Sequence, residues 1–268
     1  MNYVGGGTKE SGCIFCNRLE RMSDIESLIL HRAGHSFTIM NLYPYNTGHI
    51  MVVPNQHASD PAELSPDALA EIGTALPTLT SALRRAFACH GFNVGLNIGA
   101  IAGAGVEAHL HQHIVPRWQG DANFMPIIAS TMTIPELIPV TYAKIRAELT
   151  REITGATTAR YVLLAPDNSS VLLHNGSLPE VTLDADTPIL NAIVASLPDG
   201  VTEVQLAGWA GPDHAAAPEA NDIILTLAGS AGALSADAWE SVPIIDLADR
   251  QDNAGIVRRA IAQRAPAR

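Results

Sequence analysis

Alternation of apolar and polar side chains marks the first elements of the chain. Ser36-Phe37-Thr38-Ile39-Met40-Asn41 alternates with a period of two, as a half-buried strand does. Pro44 and Asn46-Thr47-Gly48 supply turn residues, and His49-Ile50-Met51-Val52-Val53-Pro54 predicts the strand that returns beside it. Ser65 followed by Pro66 predicts a helix start, with Leu69, Ile72, Leu76 and Leu83 on one face and Pro77 kinking or splitting it. Gly91 to Ile98 reads as a third strand, and a glycine-rich turn from Gly99 to Gly105 leads into a fourth beginning near Ala108. The expected fold class is α+β, an antiparallel sheet with helical cover.

Residues 126–150 read as a tail helix, with Ile134, Leu137, Tyr142, Ile145 and Leu149 available for packing. The character of the chain changes at Thr154-Gly155-Ala156-Thr157-Thr158. Beyond it come the strand-like runs Tyr161-Val162-Leu163-Leu164, Ser170-Val171-Leu172-Leu173, Val204-Gln205-Leu206 and Asp222-Ile223-Ile224-Leu225-Thr226-Leu227. Two units are therefore expected: residues 1–150, and a strand-rich α/β-type accessory unit over 155–268.

Composition narrows the partners. The 268 residues carry a net charge of −11, and no Lys or Arg lies between Arg160 and Arg250. Such a surface repels nucleic-acid phosphates, so polymeric DNA or RNA is excluded as a partner, whereas one small nucleotide can be held by backbone N–H groups and a few side chains. No apolar run is long enough to cross a bilayer and the start lacks a signal-peptide pattern, so a cytoplasmic protein without a membrane partner is expected. Of three cysteines, two form Cys13-Ile14-Phe15-Cys16, a spacing that favours metal or redox chemistry in a reducing compartment.

The strongest chemical signal is His109-Leu110-His111-Gln112-His113. On a strand these three histidines share one face, with imidazoles roughly 7 Å apart, and Leu110, Ile114 and Val115 are left for the core. Packing alone does not explain three polar rings in strict alternation. A metal site or a phosphate-handling nucleophile does. Cys13 and Cys16 are two soft ligands that need two more, and His57 and one member of the histidine row are the candidates. His31, His35, His90, His174 and His214 read as bystanders.

His109-Leu110-His111-Gln112-His113-Ile114-Val115, followed by Pro116-Arg117-Trp118, resembles the signature of the histidine-triad (HIT) superfamily, three histidines alternating with apolar residues. Similar too are Cys13 to Cys16, the hairpin Asn41 to His49, and Pro54 to His57. Ala102 to His109 and Gly120 to Pro126 are similar to a bacterial branch related to diadenosine tetraphosphate (Ap4A) phosphorylases. The resemblance covers about the first 130 to 150 residues. It implies that His111 attacks an α-phosphorus and forms a nucleotidyl-imidazole. It implies also that His113 holds phosphate oxygens, that Asn41 contacts the ribose, and that Asn97 with Gly103, Ala104 and Gly105 lies along the phosphates. Cys13, Cys16, His57 and His109 then hold a structural zinc ion, no organic cofactor is needed, and the chain forms a homodimer or higher homo-oligomer.

Two departures stand out. Gln112 replaces an apolar residue, and Gly105-Val106 stand where many hydrolase members carry Gln-Ser or Gln-Thr. The expected activity is nucleotidyl transfer on a dinucleoside polyphosphate such as Ap4A, phosphorolytic with release of ADP and ATP. A hydrolase releasing AMP, a noncatalytic nucleotide-binding module and a plain zinc hydrolase are the rivals. In the second half, Val171 to Glu180 resembles a Nudix-type strand entry, but the glutamates of a Nudix metal helix are absent, so that unit is expected to be noncatalytic.

Overall fold

Five strands answer the alternation of the first half: β1 (Ile29–Arg32), β2 (Ser36–Met40), β3 (Ile50–Pro54), β4 (Gly91–Leu96) and β5 (Gln112–Arg117). They form one antiparallel sheet in the order β1-β2-β3-β5-β4. The computed structural model describes residues 11–102, 106–121, 136–213, 223–231, 238–249 and 251–263. The fourth predicted strand starts later than expected, at Gln112 instead of near Ala108, because β3 ends at Pro54 and its last pair with β5 is Val52 with Gln112. Ahead of that pair the Leu110 N–H donates to the Ala58 carbonyl at 2.7 Å instead of to a ladder.

Short helices α1 (Ile14–Glu20) and α2 (Asp24–Ser27) precede the sheet. The Ser65 hydroxyl accepts from the Ala68 N–H and caps α3 (Pro66–Thr74). Pro77 falls in the first turn of α4 (Leu76–Phe87), where its missing N–H costs nothing, so the predicted break is a split between two helices. The tail helix, α5, runs Ile138–Thr154 and stops at Gly155 in the left-handed region (φ 67°). Tyr142, Ile145 and Leu149 are buried on it as expected. Leu137, expected to pack, instead stands before the first turn and is 67% exposed. Ile134 lies outside the described residues.

The second half forms β6 (Thr158–Leu164), β7 (Ser170–His174), β8 (Glu180–Thr182), α6 (Ile189–Ala195), β9 (Val201–Trp209), β10 (Ile224–Ala231), β11 (Trp239–Pro243) and α7 (Gln251–Gln263). Its sheet has the order β11-β7-β6-β10-β9, with β8 on β6 and with β10 parallel to β6. No described helix is long and apolar enough to cross a membrane.

Period-two alternation sorts the strands into layers. Ile50 and Val52 point to a helical layer of α3, α4 and α5, while Met51 and Val53 point the other way, to Phe15 of α1. In the second sheet Tyr161 and Leu163 join the same helical core, whereas Val162 and Leu164 pack on Val257 and Ala260 of α7. The chain is thus layered α1, first sheet, helices, second sheet, α7. The central strands β2 and β3 are covered on both faces, which is why every residue of each is buried.

Helix α5 also makes polar contacts, to the first sheet on one side and to α4 and α6 on the other. The Tyr142 hydroxyl donates to the Ile29 carbonyl at 2.8 Å and Arg146 donates to the Leu30 carbonyl. On the other side Glu148 accepts from the Ile189 N–H at 2.7 Å and from Arg85 at 3.1 Å. A helix in the middle of one core shared by both sheets couples their stabilities. Leu149→Ala is expected to lower stability by about 2–5 kcal/mol, and to move the melting of both sheets together in far-UV dichroism and tryptophan fluorescence. Two separated transitions in the variant count against a common core.

Candidate active site

The histidine row inherits its orientation from the sheet. His113 lies across from Met51, and Ile114 across from Ile50, so His113 shares the α1 face while Ile114 enters the helical core. Leu110 joins that core as well. The second sheet, packed beyond the helices, therefore lies behind the face that carries the histidines.

Each buried ring has a partner that settles where its proton sits. His111 Nδ1 is 2.9 Å from the His109 carbonyl, which can only accept, so Nδ1 carries the hydrogen and Nε2 keeps its lone pair. His109 Nε2 is 2.9 Å from the Pro54 carbonyl, so its hydrogen is on Nε2 and its Nδ1 is a free lone pair. His49 Nδ1 accepts from the Tyr45 N–H at 3.0 Å, so its hydrogen is on Nε2, aimed at His113 Nδ1 2.9 Å away. His113 must accept there, and its own hydrogen is left on Nε2.

That Nε2 lies 3.4 Å from Asn97 Nδ2. Two donors converge on one spot, and neither can accept from the other. An anionic oxygen between them satisfies both.

The rings are neutral. Burial pushes the pKa of His113 down to about 4, with the adjacent His111 adding to the effect, and that of His49 to about 3, with help from His113 and His111. His111 is lowered too, by burial against the opposing pull of its carbonyl partner. A neutral imidazole with a free Nε2 is a nucleophile.

Beside the row, Cys13, Cys16, His57 and His109 bring one ligand atom each to within 4.8 Å of one another. Cys13 Sγ is 3.2 Å and Cys16 Sγ 3.6 Å from His109 Nδ1, and Cys16 Sγ is 3.4 Å from His57 Nδ1. Ligands of a tetrahedral zinc with ordinary bond lengths sit about 3.3–3.8 Å apart, so the spacing fits. The Pro54 carbonyl on Nε2 gives His109 the tautomer a metal needs. Phe15, between the two cysteines in sequence, packs its ring 5.5 Å from His109 and 5.1 Å from His111.

The model of the HIT domain matches residues 22–120. A Mycobacterium tuberculosis protein named AP-4-A phosphorylase is 40% identical over 134 residues, which is 50% of this chain and 69% of that one. The chain belongs to the HIT family. Another relative, the bis(5'-nucleosyl)-tetraphosphatase (asymmetrical) of Schizosaccharomyces pombe, is 27% identical over 108 residues, covering 40% of this chain and 59% of that one. Among solved structures, a zinc-bound histidine triad family protein from Mycobacterium smegmatis superposes with a TM-score of 0.43 at 22% identity, covering 52% of this chain and 94% of that one.

Of the HIT residues expected from sequence, His109, His111, His113 and Asn97 come together, and Cys13, Cys16 and His57 gather on His109. The Asn41 amide nitrogen sits 3.3 Å from His49 Nδ1, and its oxygen accepts from the Tyr43 N–H. Gly103, Ala104 and Gly105 lie outside the described residues, as does His214. Val106 packs into the apolar cluster around Phe15, Ile39 and Met51. The Gln112 amide oxygen is buried and has no hydrogen-bond partner among the described residues.

Two expectations need correcting, and the burial of His111 adds to them. His111 is 5% exposed, with the Phe15 and His113 rings against it. The His111 and His113 rings are 4.8 Å apart, centre to centre, and not about 7 Å, because they turn edge to face. His109 and His111 precede the strand proper. Sequence reasoning also passed over His49 and Tyr45, whose ring lies against His49 and His113 at 4.7 and 5.6 Å. A signal for His49 was present: it is two residues before Met51, hence on the face of His113.

Histidines held below their free value of 6.5 bind fewer protons folded than unfolded. Their contribution to stability is therefore complete above about pH 6.5 and is lost as pH falls toward 4, with a slope on the order of 1 kcal/mol per pH unit. Melting temperature measured across that window should fall, and His49→Asn should flatten the dependence. An equal slope in wild type and variant refutes the assignment.

Proposed function

We propose that the chain is a nucleotidyl transferase acting on a dinucleoside polyphosphate such as Ap4A, through a covalent nucleotide on His111. One observation carries this reading: His111 presents a neutral, unprotonated Nε2 next to the converging donors of His113 and Asn97. The Nε2 lone pair forms a bond to the α-phosphorus while the bond to the bridging oxygen breaks and ATP leaves. His113 and Asn97 hold a non-bridging oxygen as its charge grows. The Nδ1 hydrogen stays on the His109 carbonyl, stabilising the charged ring. An oxygen of inorganic phosphate then displaces His111, and ADP departs.

The M. tuberculosis relative named AP-4-A phosphorylase supports phosphate as the acceptor. So does the pocket wall before the row. Val106 is turned into the apolar cluster, and an aliphatic side chain there offers no hydroxyl to assist a leaving group or orient water. The S. pombe relative named as a tetraphosphatase supports the second reading, a hydrolase releasing AMP. We assign Asn41 to the ribose, Gly103, Ala104 and Gly105 to the phosphates, and zinc to Cys13, Cys16, His57 and His109, where it would fasten α1 to the row.

Residues 155–268 we read as a noncatalytic unit: among the described residues the Cys/His group is the one cluster suited to a metal, and it lies in the other half. The middle of edge strand β4, Asn93-Val94-Gly95, is exposed and carries no Lys or Pro to block pairing, which supports a homodimer. The three cysteines are free thiols, in keeping with the cytoplasm.

His111→Ala should abolish turnover of Ap4A while costing less than about 2 kcal/mol of stability. With wild-type protein, labelled phosphate should appear in ADP. Accumulation of AMP and ATP with no effect of phosphate rejects the phosphorylase and leaves the hydrolase. If neither product forms, the binding-module reading stands.

Purified protein should contain one equivalent of zinc by elemental analysis. Its removal should lower the melting temperature more than it lowers the rate of the chemical step. Protein free of zinc, or a Cys13→Ser variant with unchanged metal content and stability, contradicts the assignment.

A further inference from the structure

The loop between β2 and β3 carries Tyr45 and His49, and its Asn46 side chain ties it to the end of β5 through one carboxylate, that of Asp121, and one carbonyl, that of Pro116. Asp121 Oδ2 accepts from Asn46 Nδ2 at 2.9 Å, from Arg117 Nε at 2.6 Å and from the Trp118 N–H at 3.0 Å, while Oδ1 accepts from a second guanidinium nitrogen of Arg117 at 2.6 Å. Arg117 also donates to Asn93 on β4. Asp121 therefore collects the exit of β5, and through Arg117 the edge strand, onto the amide of one hairpin residue.

Asn46 is fully used. Its second amide hydrogen goes to the Pro116 carbonyl at 3.2 Å, its side-chain oxygen accepts from the Thr47 N–H, and its backbone carbonyl accepts from the His49 N–H at 3.1 Å. At Gly48, with φ at 76°, a Cβ would stand 2.6 Å from the Phe87 ring, so the residue between Asn46 and His49 has no room to move toward the helices. What keeps the loop in place on the open side is the Asn46 side chain, by its shorter contact to Asp121 and its longer one to the Pro116 carbonyl.

We propose that Asp121 is a positioning residue for the reaction: through Asn46 it fixes the loop that decides which nitrogen of His113 carries the proton. The chain of contacts is continuous. Asp121 holds Asn46; Asn46 holds the Tyr45 to His49 turn; the Tyr45 N–H sits on His49 Nδ1; His49 Nε2–H sits on His113 Nδ1; and His113 is left with its hydrogen on Nε2, facing Asn97. Slackening the first link frees the Tyr45 N–H from His49 and leaves on Nδ1 only the longer contact from the Asn41 amide nitrogen at 3.3 Å, an amide that is itself oriented by the Tyr43 N–H of the same loop. Either nitrogen of His49 can then carry the hydrogen, and His113 is no longer obliged to point its own toward the phosphate. Asp121 touches no reacting atom in this scheme. The inference rests on the reading of His113 as a phosphate donor, and the test separates the two.

The test uses full-length protein labelled with ¹⁵N in histidine, at about neutral pH, with Asn46→Ala and Asp121→Asn beside wild type. Long-range ¹H–¹⁵N correlations report the protonated nitrogen of each ring. Wild type should show His113 protonated on Nε2. Both variants should show His113 exchanging between tautomers while His111 keeps its hydrogen on Nδ1, with turnover of Ap4A down about tenfold at unchanged KM. Folded variants in which His113 keeps its single tautomer overturn the proposal, whatever their activity. A disturbed tautomer with wild-type turnover upholds the positioning role and removes His113 from the phosphate site. Asn46→Ala leaves the Arg117–Asp121 pair intact, so it tests the loop's control of the tautomer should Asp121→Asn fail to fold, and Asp121→Ser, which keeps the Asn46–Pro116 contact, then separates the part of the carboxylate.

Discussion

A neutral imidazole removed from water keeps one hydrogen and one lone pair, and each needs a partner or an assigned use. This requirement orders the site. Three backbone groups, the carbonyls of Pro54 and His109 and the N–H of Tyr45, are enough to determine the proton positions on His109, His111, His49 and, by transmission, His113. Lone pairs then emerge where a metal or a phosphorus can take them, and N–H groups where an anion can. A bare count of histidines says none of this. The same four rings with their hydrogens on the opposite nitrogens would present a donor where the proposed nucleophile must have electrons.

The layered fold supplies the burial that keeps those rings neutral and leaves one face for chemistry. Helices and the second sheet share the core behind the first sheet, and α1 covers part of the front. Among the described residues, the strands of the second unit lie behind the first sheet and not over the histidines. What that unit does supply is support. It meets α5, and α5 meets β1 and α4 through buried groups whose polar ends are paired with backbone carbonyls and carboxylates.

Much of the first half was legible because its signals are local. Alternation at Ser36–Met40, turn residues at Asn46-Thr47-Gly48, Ser65-Pro66 and the Cys13/Cys16 spacing each carry their physical cause within a few residues. The start of β5 was misjudged because it depends on where β3 stops, and Pro54 is far from Ala108 in sequence. The exposure of His111 depends on Phe15, nearly a hundred residues earlier. His49 was passed over because its partner is set by sheet order, which alternation within one strand does not reveal. In the second half the runs at Tyr161, Ser170, Val204 and Ile223 were readable as strands. The short β8, the edge strand β11 and the parallel pairing of β10 with β6 were not, since parallel neighbours are chosen by a crossover and leave no local mark.

His109 shows how closely the two parts of the site are tied. Its ring carries a lone pair to the cysteine pair, and its carbonyl holds the hydrogen of His111, so one residue serves the proposed metal and the proposed nucleophile by different atoms. Phe15 repeats the arrangement from the other side, lying between Cys13 and Cys16 in sequence and against both rings in space. A metal on those four ligands need not touch substrate to matter. By fixing α1 and the backbone at His109 it would hold the carbonyl that orients His111, and a displacement of that carbonyl by a few tenths of an ångström would weaken a hydrogen bond on which the direction of the Nε2 lone pair depends. On this view the metal acts on the reaction through the backbone, and the division between structural and catalytic residues runs through the middle of one histidine.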